Sequence, residues 1–163
     1  MPDVGAARGQ GPDRLSSPTR TSVGYFGALR LRDSVLMFRR ETGKLNGESF
    51  RAFLKPLRPL SAAPGRRVVA IRDNAPCHRS RSRRHREWRT PHAVEFAFDF
   101  LPPYRPELNP IERVWKLTRR LCLHNRCFGF LDRVIEAVET QFADWTKPND
   151  TLRRLCNHFR RYV

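Results

Sequence analysis

This 163-residue sequence has half as many acids as bases, four lysines and no long apolar run. Its 16 Asp and Glu face 32 Lys and Arg, which leaves a formal charge of +16 and a sequence pI near 11.3. That imbalance argues against a small-molecule enzyme working alone. A field of this sign attracts polyanions, so nucleic acid or an anionic membrane surface is the first partner class to consider. No stretch approaches the ~20 consecutive apolar residues of a membrane-crossing helix, and the first twenty residues lack the apolar stretch of a signal peptide. The four cysteines (Cys77, Cys122, Cys127, Cys156) stand outside any secretory context and read as reduced thiols. Cys122, His124 and Cys127 are spaced like the start of a zinc site, yet no second pair follows at finger-like spacing. Only four of the 32 basic residues are Lys and 28 are Arg. A GC-rich coding sequence accounts for the bias most simply, and its chemistry stands regardless: Arg forks bind phosphate bidentately and stay charged.

What the sequence does have is material for a core, with 39% hydrophobic residues, eleven Phe and three Trp. Residues 1–17 are rich in Gly, Pro and Arg and read as an irregular leader, followed by one domain over 18–163. Val23 to Leu31 and Val35 to Arg39 form β-rich runs joined at Asp33-Ser34, the pattern of a hairpin. Asn46 is placed to cap a helix carrying Phe50, Phe53, Leu54 and Leu57, which Pro56 and Pro59 are expected to stop. Pro64-Gly65 turns the chain into Val68 to Ile71, a continuous apolar run of the kind found in a strand buried on both faces. Residues 77–89 are dense in Arg with Trp88 as the one large apolar group, so a helix there is solvated or faces DNA. Val94 to Leu101 reads as a further strand. A helix is expected from about Pro110 to Leu123. Another places Leu131, Val134, Ile135, Val138, Phe142 and Trp145 on one stripe, and Asn149 caps a last one with Leu152, Leu155, Cys156 and Phe159 inside. This order of elements is that of an α/β layer.

Two acids stand out by position. Asp73 directly follows the Val68–Ile71 strand, at the end of an α/β sheet where sites open, and Glu112 sits just inside the helix that begins at Asn109-Pro110. Carboxylates at a strand end and a helix start can converge on one Mg²⁺ site, because a hard divalent cation takes oxygen ligands and leaves part of its shell for water and phosphate. Structural roles stand beside this one. Asn109, Pro110 and Glu112 match a capping box in which Glu112 serves the cap's backbone N–H, and Asp73 before Asn74-Ala75-Pro76 matches a turn former. Lys116 and Arg119, one and two turns after Glu112, suit a phosphate contact or a solvated basic face. His78 fits a hydrogen-bonded structural role better than a substrate contact. Trp115 shares the apolar stripe of Ile111 and Thr118 and belongs to the core, whereas Tyr104, in a proline-rich loop, is placed to stack on a base.

The stretch IRDNAPCH (Ile71 to His78), followed by FLPPYRPELNPIERVWKLTRRLCLHN (Phe100 to Asn125), resembles the C-terminal half of the catalytic domain of bacterial insertion-sequence transposases, in the mariner-related group of the DDE superfamily. The likeness extends from about Pro18 through PTRTSVGYFGALRLRD to the PND-TLRRLCN tail. It implies a ribonuclease-H-like mixed α/β sheet with flanking helices and a DNA-cutting, DNA-joining activity dependent on Mg²⁺, or Mn²⁺ in its place, with two ions in the complete site. Asp73 matches the second catalytic, metal-binding acid and Glu112 the third. The resemblance also implies DNA partners (transposon ends and target), which the Arg-rich segment with Arg79, Arg81, Arg83 and Arg84, together with Tyr104, Lys116 and Arg119, would contact. A homodimer or pairing with full-length transposase, no membrane, and a bacterial cytoplasmic, nucleoid-associated location complete the expectation.

The sequence departs from that pattern in places. Arg105 stands where members commonly have Ser. The first catalytic acid belongs on a central strand upstream of Pro18; Asp3 and Asp13 lie in the leader and Asp33 at the hairpin turn, and none fits. Lacking that strand, the sheet is expected to be incomplete, between the Val23–Leu31 and Val68–Ile71 runs. The expectation is thus a truncated or frame-disrupted transposase fragment, inactive alone, with residues 1–17 unrelated to the family. The alternative is a basic DNA-binding accessory or inhibitor of the full-length enzyme, without chemistry of its own.

Overall fold

A computed structural model describes residues 22–62, 64–73, 94, 96–103, 105–157 and 159. The leader, Cys77, His78, the arginines 79, 81, 83 and 84, Trp88 and Tyr104 lie outside the described residues. Strand β1 (Gly24–Arg30) and strand β2 (Val35–Glu41) form the expected hairpin, antiparallel from Gly24 opposite Glu41 to Arg30 opposite Val35. The reversal at 31–34 is fixed by local chemistry. Ser34 takes a positive φ of 59°, its N–H donates to the Arg30 carbonyl at 2.9 Å, and the Arg30 guanidinium holds Asp33 at 2.7 Å. Burial pushes the Asp33 carboxyl up, but the Arg30 hydrogen bond and the charges of Arg30 and Arg32 outweigh it, leaving it below its ordinary 3.8.

Helix α1 (Gly47–Ser61) starts in a full capping box: the Asn46 side chain accepts from the Glu48 and Ser49 N–H groups, and Ser49 Oγ accepts from the Asn46 N–H. Contrary to expectation, it runs through Pro56 and Pro59 to Ser61. Both prolines are exposed while Phe50, Phe53, Leu54 and Leu57 are buried. The carbonyls that lose a donor therefore lie toward water, and the buried stripe holds the helix across the gap. Arg30 closes the far end by donating to the Leu60 carbonyl.

After the Pro64-Gly65 turn, where Gly65 has a φ of +67° that other residues rarely adopt, strand β3 (Val68–Arg72) pairs in parallel with strand β4 (Phe96–Phe100). The alternation along β3 corrects the expectation of burial on both faces. Val69 and Ile71 are 54% and 52% exposed, whereas Val68, Ala70 and Arg72 turn toward α1. Among the described residues the four strands make two separate two-stranded sheets, one antiparallel and one parallel. The result is a mixed α/β layer of the ribonuclease-H-like kind, with no strand joining the two sheets among the described residues.

One face of both sheets rests on α1: Phe26 and Ala28 of β1, Met37 of β2, Val68 and Ala70 of β3, and Phe96 and Phe98 of β4 surround its four apolar residues. The opposite face of the hairpin is covered by helix α2 (Pro110–Thr118), continued by a π turn at Arg119–Leu123, helix α3 (Leu131–Trp145) and the short helix α4 (Asp150–Leu155). Of the predicted stripes, Val138, Phe142, Trp145, Leu152, Cys156 and Phe159 are buried, whereas Leu131, Val134, Ile135 and Leu155 are half-buried. Val138, Phe142 and Trp145 of α3 meet Leu152 of α4, Leu36 of β2, and Val114 and Leu117 of α2. Arg113 ties α2 to the C-terminal segment, donating to the Leu155 carbonyl at 3.3 Å with its guanidinium over the Phe159 ring at 4.8 Å. Among the described residues no helix is long and apolar enough to cross a membrane.

Candidate active site

The two singled-out acids meet in one cleft. Strand side chains alternate between faces. Arg72 points toward α1, where its guanidinium lies 4.2 Å from the Phe98 ring centroid and 4.3 Å from that of Phe100. Asp73 then continues the parity of Val69 and Ile71, on the face away from α1. The Leu101 N–H donates to the Arg72 carbonyl at 2.9 Å, so β4 stays joined to β3 up to the residue before the acid.

Glu112 is carried to the same face by α2, which packs on the hairpin through Trp115. That approach depends on Gly27, because the space a Cβ would fill there is taken by the edge of the Trp115 ring. Asp73, Leu101, Pro102, Arg105, Pro106, Asn109 and Glu112 line a cleft of about 200 Å³. A single turn of 3₁₀ helix, Pro106–Leu108, leads from the loop into the α2 N-terminus.

The capping-box role for Glu112 is not what the structure holds. Asn109 does cap α2, its side-chain oxygen accepting from the Ile111 N–H at 3.4 Å. Its own N–H, which the box would direct to Glu112, donates to the Pro106 carbonyl at 3.0 Å. The Glu112 carboxylate therefore has no capping duty to perform.

Lys116 and Arg119 are exposed, on later turns of the same helix and its π extension, and do not line the cleft. Trp115 is half-buried against the core, 5.8 Å from Phe142. Cys122 is buried in the apolar core, which pushes its thiol up from the usual range, while Cys127 is exposed. Among the described residues no three His, Cys, Asp or Glu side chains gather into a metal-binding group. The cleft's pair of carboxylates suits another kind of ion. Mg²⁺ is usually held by one or two protein carboxylates, with water and substrate phosphate completing its shell, so this donor set fits a hard divalent cation. Sequence reasoning missed Arg105 as a lining residue, since a loop of prolines carries no periodicity from which its direction can be read.

The described residues thus form a mixed α/β layer in which two carboxylates line one cleft beyond the end of a parallel strand. The pattern of the DDE superfamily endonuclease family matches residues 2–135, and the chain belongs to that family. The match takes in the leader from residue 2 and ends within α3, short of the PND tail. A second similarity is to the uncharacterized protein y4pE/y4sA of Sinorhizobium fredii (strain NBRC 101917 / NGR234), 50% identical over 36 residues. That stretch is 22% of this chain and 27% of the relative, so the chain spans about a quarter of the relative it matches.

Proposed function

We propose that the chain is part of the catalytic domain of a bacterial insertion-sequence transposase of the mariner-related group, and that Asp73 and Glu112 are two of its metal-binding catalytic carboxylates. The observation that carries this reading is the shared cleft, which is lined by two acids with 38 residues between them in sequence, one at a strand end and one at a helix start. Asp73 and Glu112 would hold Mg²⁺ or Mn²⁺, which when bound neutralises phosphate charge and activates the attacking oxygen for phosphodiester cleavage. The chain's own part is to fix the two carboxylates on rigid elements and to draw in DNA. Lys116 and Arg119, exposed on later turns of the same helix and its π extension, would add phosphate contacts, as would Arg79, Arg81, Arg83, Arg84 and Tyr104.

We further infer that the 163-residue chain alone binds DNA without cutting it. Support comes from the cleft itself, where two carboxylates, not three, stand among the described residues. The same observation favours the second reading, a DNA-binding accessory that pairs with a complete transposase. Titration of Mn²⁺ followed by electron paramagnetic resonance, combined with a plasmid-nicking assay, tests both. Binding of Mn²⁺ that is lost in Asp73→Asn and in Glu112→Gln, with the plasmid left intact, is the expected outcome. Nicking by the wild-type chain that both substitutions abolish would uphold the site and refute the inactivity. Unchanged Mn²⁺ binding in the two variants would remove the site.

A further inference from the structure

Among the described residues that line the cleft, Arg105 is the one cation, and it faces the same space as Asp73 and Glu112. Its root is fixed: the Arg105 carbonyl accepts the Leu108 N–H at 3.1 Å to open the 3₁₀ turn, and Pro102, Pro103 and Pro106 restrict the backbone on either side. Its tip is not. The side chain is 64% exposed, and Nη1 stands 3.4 Å from Oε1 of Glu107, which is itself 56% exposed. A pair this exposed holds weakly, and a phosphate can displace it.

The electrostatics of the cleft give such a group a task. Two carboxylates repel a phosphodiester, and a divalent cation held by them would offset that repulsion. A guanidinium anchored on the loop then adds donors for the non-bridging oxygens without taking up any carboxylate oxygen. We propose that Arg105 is a substrate ligand of this cleft, its planar fork gripping the non-bridging oxygens of the DNA phosphodiester that lies against Asp73 and Glu112. The assignment rests on the metal-dependent reading of the cleft given above. It differs from a general basic contact in one respect: an arginine on the outer surface helps DNA binding with or without metal, whereas Arg105 helps only once the acids are neutralised.

The test is a titration of a short fluorescent DNA duplex with the wild-type chain, Arg105→Ala and Arg105→Lys, in Ca²⁺ and again in EDTA, over a range of salt. In Ca²⁺, Arg105→Ala is expected to bind about tenfold more weakly, the loss of one charge-assisted contact. Its slope of log affinity against log salt should be shallower by about 0.9. Arg105→Lys should keep the slope and lose part of the affinity, because a point charge lacks the fork. In EDTA the three proteins should agree. Equal losses in Ca²⁺ and EDTA, or no loss in either, would overturn the proposal. Mn²⁺ titration of the same proteins separates the two levels: Arg105→Ala should bind Mn²⁺ as the wild type does. Absence of Mn²⁺ binding through Asp73 and Glu112 would defeat the cleft reading and this proposal with it. Intact Mn²⁺ binding with unaltered DNA affinity in Arg105→Ala would defeat the Arg105 assignment alone.

Discussion

Replacing Gly27 by alanine adds one methyl group at the closest approach of α2 to the hairpin. An ideal Cβ at this position stands 2.6 Å from Cζ2 of Trp115, nearer still to Cη2, and 3.2 Å from Cδ1 of Ile111. Carbon atoms rest at ~3.5–4.0 Å, so the indole must retreat by about 1 Å. It has little room to do so, because the ring packs on Phe142, which is 1% exposed and also contacts Tyr25, Phe38 and Trp145. Overpacking of this kind costs about 1–3 kcal/mol. The opposing effect, the lower chain entropy of unfolded alanine, returns at most ~1 kcal/mol. The net expectation is a loss of about 1–2 kcal/mol in urea unfolding, and a melting temperature lower by roughly 2–8 °C. Because Glu112 lies three residues before Trp115 on α2, Mn²⁺ affinity should fall as well. Trp115→Phe removes the two crowded ring atoms, so the double variant should be more stable than the sum of the single changes predicts, by about 1 kcal/mol. A Gly27→Ala protein as stable as the wild type, or a double variant that is merely additive, would refute the view that this glycine seats the helix carrying the acid.

Other consequences concern the core beneath the site. The Tyr25 hydroxyl donates to Glu139 Oε1 at 3.2 Å, with Arg40 at 3.4 Å from the same oxygen. Burial first, then the Glu139 charge and hydrogen bond, push the phenol from 10.0 up to about 12 against the opposing pull of Arg40. The folded chain thus holds this proton more tightly than the unfolded chain, so the contribution is complete below pH 10 and is lost as pH rises through about 12. Urea unfolding should show wild-type stability dropping faster than that of Tyr25→Phe across that window; parallel curves would contradict the assignment. Cys122 and Cys156 are buried, and burial pushes the Cys156 thiol up to about 11, while Cys127 is exposed. In a Cys77→Ser background, a disulfide reagent should label one thiol in the native state and two more only on unfolding. A second thiol that reacts at the native rate would show that one of the buried pair is reachable.

The elements legible in the sequence are those in which a period meets an unambiguous environment. Val138, Phe142 and Trp145 of α3, and Leu152 of α4 with Cys156 at its C-cap, are buried as their spacing requires, because one side of each helix faces a core and the other faces water. Misreadings occurred where a local rule competed with tertiary packing. Two prolines within α1 are strong stop signals, but four buried apolar residues on its other side outweigh two missing hydrogen bonds exposed to water. The run Val68 to Ile71 looks buried on both faces because composition does not record how many layers cover a sheet. Val69 and Ile71 are more than half exposed on the face that α1 does not cover.

The candidate site shows the same division between what position encodes and what packing decides. That Asp73 and Glu112 line one cleft follows from landmarks the sequence shows, the end of an apolar strand and the first turn of a proline-started helix, because regular elements aim their ends. Whether Glu112 capped its own helix was not readable, since Asn109-Pro110-Ile111-Glu112 is compatible with either outcome. The answer lies in the preceding turn, where the Pro106 carbonyl takes the Asn109 N–H and leaves the carboxylate to the cleft. Arg105 belongs to that same turn. The 3₁₀ segment that releases Glu112 from capping therefore also roots the one cation that lines the cleft among the described residues, so the direction of both charges is set by a loop whose sequence shows neither.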